Sequence, residues 1–169
     1  MRWIVALLLL GLTPGSGSAQ IVPVWRLVTD ATASICPALR DGDVEAAVRV
    51  ARAYHYRIDE AARPTAPIAG SGHYVLLHGR HFDELVLAAS DGVAWCALTL
   101  KQATPGSMAD AAEPHLARLG FHRAPGDAED RVAWASDSGD AASFPTPRPE
   151  PRATLAVRFR YPEGRDRTD

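Results

Sequence analysis

The spacing of hydrophobic residues predicts two helices in the first third of the chain. After Pro23, apolar residues recur at the three- and four-residue intervals of one helix face: Val24, Leu27, Val28, Ala31 and Ile35. Behind an Asp-Gly-Asp turn, a second set has the same period: Val44, Ala47, Val48, Ala51, Tyr54 and Ile58. Charged residues occupy the opposite side of this second stretch, so both are expected to be amphipathic helices with one buried face.

The period changes to two on either side of Asp91-Gly92, the residues that a two-residue hairpin turn prefers. Counting outward from the turn gives the pairs on one aliphatic face: Ala89 with Ala94, Leu87 with Cys96, and Leu85 with Leu98. The opposite face is mixed in character and carries Glu84, Val86, Ala88, Trp95, Ala97, Thr99 and Lys101. Cys96 is therefore expected to point toward the helices that cover the aliphatic face.

A third helix and further strands complete the predicted fold. Ser107 and Asp110 resemble a capping box at the start of a helical stripe that ends at Gly120, and Pro114 is expected to kink or divide this helix. Alternating patterns predict the remaining strands: His73–His78, Arg131–Ser136 and Thr154–Tyr161. The order predicts an α+β two-layer sandwich, with an antiparallel sheet of four to five strands covered on one face by about three helices.

The amino terminus has the pattern of an export signal. Arg2 precedes the apolar stretch Trp3–Leu12, and small residues end the segment at Gly17-Ser18-Ala19. We expect residues 1–19 to be a signal peptide and residues 20–169 to be one globular domain, delivered to the periplasm or secreted, with no membrane span after cleavage. Within the domain, residues 137–152 are expected to be a long Pro-rich loop and residues 163–169 a flexible tail.

Composition and charge exclude several classes of protein. The chain has 169 residues, 47% of them hydrophobic and 22% charged, which suits one soluble globular domain rather than a disordered or fibrous protein. Its net charge of −2 gives no long-range attraction for nucleic acid or for anionic lipid, so no nucleic-acid partner is expected.

Export determines how the two cysteines are interpreted. In an oxidising compartment, a lone pair of cysteines is expected to form a disulfide, here between Cys36 and Cys96. The alternative is a reactive thiol at Cys36, which precedes Pro37 and would lie near a helix start. The chain has no Cys-x-x-Cys motif, and two cysteines are too few for a Cys-rich zinc or iron–sulfur site.

Histidines offer the main alternative chemistry. If a turn forms at Gly79-Arg80, then His78, His81 and Asp83 could supply imidazole and carboxylate ligands for zinc or copper. His115 lies on the core-facing stripe of its helix and is expected to be a partly buried structural residue rather than a base. The sequence lacks the local motifs of serine hydrolases, zinc proteases, phosphate-binding loops and dinucleotide-binding folds, and no cofactor is predicted.

These observations favour an exported interaction module without enzymatic activity. Its partner would be a periplasmic or envelope protein, or a ligand in the same compartment. The expected contact residues are Trp95, with Trp134 beside it on the mixed sheet face, and Phe144 and Arg148 in the Pro-rich loop. The alternative is a metal-binding protein or metal-dependent hydrolase that uses the histidine cluster.

Overall fold

An eight-stranded antiparallel sheet forms the centre of the structure. It is seen in a computed structural model that describes residues 22–60, 74–80, 83–124, 133–145 and 152–162. The strands, in chain order, are β1 Arg57–Ile58, β2 Tyr74–His78, β3 Glu84–Ser90, β4 Val93–Lys101, β5 Phe121–Ala124, β6 Ala133–Ser136, β7 Ala141–Ser143 and β8 Arg152–Arg160. Across the sheet their order is β1-β2-β3-β4-β8-β7-β6-β5, which places β4 and β8 side by side at the middle. The predicted signal peptide (1–19) and tail (163–169) lie outside the described residues.

The described helices come from two parts of the chain. The first part contains α1 Val24–Asp30, a π-helical segment Ala31–Ile35, α2 Cys36–Ala38 and α3 Val44–Ala53. The second contains α4 Pro105–Arg118, which packs beside α1. In the described part of the chain, no helix is long and apolar enough to cross a membrane.

The prediction of four to five strands in a two-layer sandwich is wrong, although the fold is α+β. The sheet has eight strands and dominates the structure. The three strands that the sequence analysis did not predict, β1, β5 and β7, are two to four residues long. Such short strands are too brief for a hydrophobic alternation to be visible in the sequence. The strand β7 also interrupts the predicted long loop 137–152, of which residues 146–151 lie outside the described residues.

The predicted hairpin register is confirmed. Ala89 lies opposite Ala94, Leu87 opposite Cys96 and Leu85 opposite Leu98. The Asp-Gly turn has both central residues at positive φ, 50° for Asp91 and 72° for Gly92, as this turn type requires. Because the turn fixes the register, it also fixes which side chains share a face.

Two helix boundaries differ from the predictions. The second helix ends at Ala53 instead of continuing to Ile58, because His55 has a φ of 69°, which lies outside the helical region. Ile58 consequently lies in β1. At α4 the cap is Thr104 rather than Ser107, and Ser107 supplies the reciprocal contact of the capping box. Pro114 lies inside α4 without dividing it.

The two faces of the sheet have different surroundings. The first face packs against all the described helices, and its central side chains are buried with theirs: Leu77, Leu85, Leu87, Cys96, Leu98, Leu155, Val157 and Phe159. The second face has a small apolar cluster of its own, formed by Leu76, Val86 and Ala97 with Ala156 beside them. No described helix contributes to that cluster, so the described helices cover only the first face, although Leu76, Val86 and Ala97 are themselves buried.

The order of elements repeats along the chain. A helical part followed by four antiparallel strands, β1 to β4, is succeeded by α4 and four more strands, β5 to β8. The last strands of the two halves pair along their full length, with Ala97 opposite Ala156 at the centre. The sheet is thus built from two similar meanders joined at β4 and β8.

Candidate functional site

Trp95 lies on the second face of the sheet, as predicted. It stands opposite Ala88 on β3 and Arg158 on β8, so the three side chains project from the same face. The Arg158 guanidinium carbon lies 5.6 Å from the centre of the Trp95 ring, a cation–π distance. Tyr74 lies opposite Ala88 in the same row and is 42% exposed. This row therefore presents two aromatic rings and a guanidinium.

The other predicted contact residues do not join Trp95. Trp134 stands opposite Ala142, which stands opposite Val157, so its side chain projects from the first face. It is buried in the core together with Phe144, and their ring centres are 6.1 Å apart. The expected exposure of Phe144 and the placement of Trp134 beside Trp95 are therefore wrong. Arg148 lies outside the described residues.

Basic residues lie on the second face at both ends of the β4–β8 pair, with Arg158 and Arg160 near Trp95 and with Lys101 and Arg152 at the far end. Alternation along β8 directs Arg152, Arg158 and Arg160 to this face, and Lys101 on β4 stands opposite Arg152. In the second-face positions of β3, β4 and β8 the acidic residue is Glu84. The face therefore combines aromatic side chains with an excess of positive charge.

The predicted metal ligands are separated by their local contacts. His78 lies at the end of β2, and its Nε2 atom is 3.3 Å from a carboxylate oxygen of Asp59. Asp83 is buried, with 1% of its surface exposed, and His81 lies outside the described residues. Over the part of the chain that the structure describes, no three histidine, cysteine or acidic side chains form a metal-binding group. The complete site, which needs His81, stays a prediction.

The buried Asp83 side chain lies next to Tyr56 and Gly79. Burial, followed by the negative charge of Asp83, raises the pKa of Tyr56 above its ordinary value of 10.0. A Cβ atom at Gly79 would collide with the Asp83 carboxylate, so this glycine leaves the space that the side chain fills. The Gly79 amide also donates to the Asp83 carbonyl. The carboxylate thus connects the β2–β3 turn to the segment after α3.

His115 lies between two helices, in agreement with the structural interpretation of this residue. Its Nε2 atom is 3.2 Å from the Thr29 hydroxyl on α1. Burial, and to a lesser extent the charge of Arg118, lowers the pKa of His115 below its ordinary 6.5. The neutral imidazole is therefore favoured at this helix contact.

A basic cleft at the β1 edge of the sheet has no counterpart in the predictions. It has a volume of about 450 Å³ and is lined by Arg52, His55, Tyr56, Arg57, Ile58 and Arg80. Arg52 is in the last turn of α3, Arg57 is in β1, and Arg80 is in the turn after β2. No local motif could reveal this site, because the sequence does not show that the β2–β3 turn lies beside the end of α3.

The predicted disulfide is present. Cys36 at the start of α2 and Cys96 in β4 are bonded, with their Cα atoms 5.4 Å apart. Both residues are buried between the helices and the first face of the sheet. The bond therefore excludes the alternative of a free reactive thiol at Cys36 in this state of the protein.

Comparison with known proteins adds no family assignment. No protein-family model matches the chain, and neither a curated protein nor a solved structure is similar enough to indicate a relationship.

Proposed function

We propose that this protein is an exported, non-enzymatic interaction module that binds a protein partner through the second face of its sheet. The observation that carries the proposal is the row of Tyr74, Trp95 and Arg158 on a face that no described helix covers. Aromatic residues and arginine are the residue types that most often dominate binding energy at protein interfaces. The predicted leader and the disulfide support a location in an oxidising compartment.

The chemistry of the face indicates the kind of partner. Trp95 is only partly exposed because Arg158 lies over its ring, so a partner would bury the remaining edge together with Tyr74. Arg158 and Arg160 would favour carboxylates around that apolar contact. We therefore expect a periplasmic or envelope protein that presents acidic side chains beside an apolar residue.

Site-specific photocrosslinking in cells tests the location of the binding surface. A photoreactive residue replaces either Tyr74 on the second face or Trp25 on α1, which is 60% exposed and serves as the matched control. The proposal predicts a discrete crosslinked protein from position 74 that is missing from position 25. Equal labelling from both positions would contradict it.

Measured affinities then test the role of Trp95. With the crosslinked protein purified as the partner, Trp95→Glu should weaken binding by about thirty-fold or more, the fold-change that corresponds to a hot-spot loss of about 2 kcal/mol. Trp25→Glu should bind like the wild type. Circular dichroism must show that Trp95→Glu is folded; global unfolding would identify Trp95 as a core residue and refute the proposed role.

The metal-dependent alternative receives no support from the described residues. His78 contacts Asp59, and Asp83 is directed toward Tyr56. No observation favours it as a second function.

A further inference from the structure

We propose that the cleft beside β1, lined by Arg52, His55, Arg57 and Arg80, binds a ligand through a phosphoryl group. This site is distinct from the Trp95 face. Four of the six lining residues are basic, and they come from α3, the turn after it, β1 and the β2–β3 turn. The fold therefore gathers basic residues that are up to 28 positions apart in the sequence.

Among the residues that the structure describes, the concentration of positive charge has no compensating carboxylate within the cleft. None of its described lining residues is acidic. Among the ion pairs between described residues, none involves the side chains of Arg52, Arg57 or Arg80. Like charges brought together in this way repel one another, and an anionic ligand would relieve that repulsion.

The nearby acidic residues are directed elsewhere. Asp59, which follows β1, has its carboxylate 3.3 Å from His78. Asp83 is buried behind Tyr56, with 1% of its surface exposed. Glu60 is exposed at the end of the described segment and does not line the cleft. The cleft thus retains its positive character despite these neighbours.

The number and origin of the arginines favour a phosphoryl group over a carboxylate. A single arginine can satisfy a planar carboxylate through two parallel hydrogen bonds. A phosphoryl group carries up to two negative charges and has three terminal oxygens that accept from different directions, which suits guanidinium groups supplied by separate elements. The cleft volume of about 450 Å³ exceeds what inorganic phosphate alone would fill, and Tyr56 and Ile58 add apolar surface. The ligand is therefore a phosphorylated organic molecule or the phosphoryl headgroup of a lipid.

Calorimetric titration of the oxidised protein tests the site. The probes are inorganic pyrophosphate and glycerol 3-phosphate, with succinate as the carboxylate comparison, all at near-physiological salt so that weak surface attraction is screened. We expect the phosphoryl probes to bind and Arg52→Gln to lower their affinity about ten-fold, since each charge-assisted contact contributes at least about 1.4 kcal/mol. The double variant Arg57→Gln/Arg80→Gln should abolish measurable binding. Arg26→Gln/Arg118→Gln has the same change in net charge on exposed helix positions and should bind like the wild type.

A second measurement keeps the test independent of variant folding. In wild-type protein, pyrophosphate should shift the backbone amide resonances of residues 55–58, and succinate should not. Co-sedimentation with phosphatidylglycerol vesicles, compared with phosphatidylcholine vesicles, distinguishes a lipid source from a soluble one, and either result supports a phosphoryl site. Absence of binding to every phosphoryl probe, equal binding of succinate, or unchanged affinity in the folded double variant would overturn the proposal.

Discussion

Single residues in this protein carry constraints that depend on their neighbours across the fold. Gly79 and Asp83 illustrate this, because the carboxylate fills the space that a side chain at position 79 would need. Asp83 is buried and faces Tyr56, so it cannot turn toward water without losing that contact. The requirement for glycine here is one of space, and φ at this position is not in the left-handed region.

Alanine substitutions at two glycines should therefore have opposite effects. Gly79→Ala should lower the free energy of unfolding by about 1–3 kcal/mol, the typical cost of overpacking. Gly106→Ala, in the first turn of α4 with open space around it, should raise it by up to about 1 kcal/mol through helix propensity. Denaturant unfolding of both variants measures the two changes. Equal effects of the same sign would refute the proposed collision at Gly79.

The Tyr56 hydroxyl is also expected to contribute to the stability of the fold. Tyr56→Phe removes the hydroxyl group beside the buried Asp83 carboxylate and should lower the free energy of unfolding by about 1–3 kcal/mol. Because the pKa of Tyr56 is raised in the folded protein, its contribution is present below about pH 10 and decreases as the pH rises and the unfolded tyrosine ionises. The variant should therefore lose less stability than the wild type between pH 9 and pH 11.

The matched control is Tyr54→Phe. The Tyr54 hydroxyl forms a hydrogen bond with the Ser34 hydroxyl at an exposed position, so the free energy of unfolding should change by no more than about 0.5 kcal/mol. If both variants responded alike, the buried carboxylate would not be the cause.

At the scale of elements, the contact between α1 and α4 should be sensitive to pH. His115 lies between them, and its pKa is lowered, so the unfolded chain binds a proton more readily than the folded one. Stability should therefore decrease as the pH falls below about 6.5, the ordinary value for histidine. Asp30 on α1 has a raised pKa caused mainly by burial, and its effect falls in a separate, more acidic range.

Denaturation midpoints between pH 5 and pH 8 would test this contact. The wild type should lose stability on acidification, and His115→Gln should lose less. His122→Gln, at an exposed position on β5, provides the control and should behave like the wild type. A pH slope that is unchanged in His115→Gln would rule out this histidine as its source.

The elements also show which parts of the fold the sequence could reveal. The β3–β4 hairpin was predictable because Asp91-Gly92 determines the turn and long apolar strands flank it. The strand β5 was not, because its pattern of Phe, His, Arg and Ala does not alternate, and its formation depends on pairing with β6. Trp134 was placed on the wrong face because the sequence does not give the register between β6 and the strands beyond it.

The candidate sites follow the same physical rule. Trp95 could be identified because it lies in the well-specified hairpin. The basic cleft could not, because Arg80 approaches Arg52 only through the packing of the β2–β3 turn against the end of α3. Contacts between distant elements are set by tertiary structure, which local patterns do not encode.

At the scale of the whole molecule, the disulfide connects elements of the first half only. It links α2 to β4 across 60 positions of sequence. Replacing both cysteines with alanine should lower the free energy of unfolding by about 2–5 kcal/mol, since the unfolded chain loses its constraint.

Guanidinium unfolding with and without reductant, combined with the double variant, measures that contribution. Because both sulfurs are buried, reduction should require partial opening of the domain and should be slow under native conditions. An unfolding midpoint unaffected by reduction would show that the bond contributes nothing to stability.

The central position of β8 has a consequence for how the protein comes into being. Its partners β4 and β7 can be in place beforehand, yet the sheet stays divided until residues 152–160 have been synthesised. Folding of the sheet therefore cannot finish strand by strand in chain order, and the sheet remains incomplete until β8 is inserted between β4 and β7. A premature stop codon that removed β8 would therefore leave two separate half-sheets, whereas loss of an edge strand would only shorten the sheet.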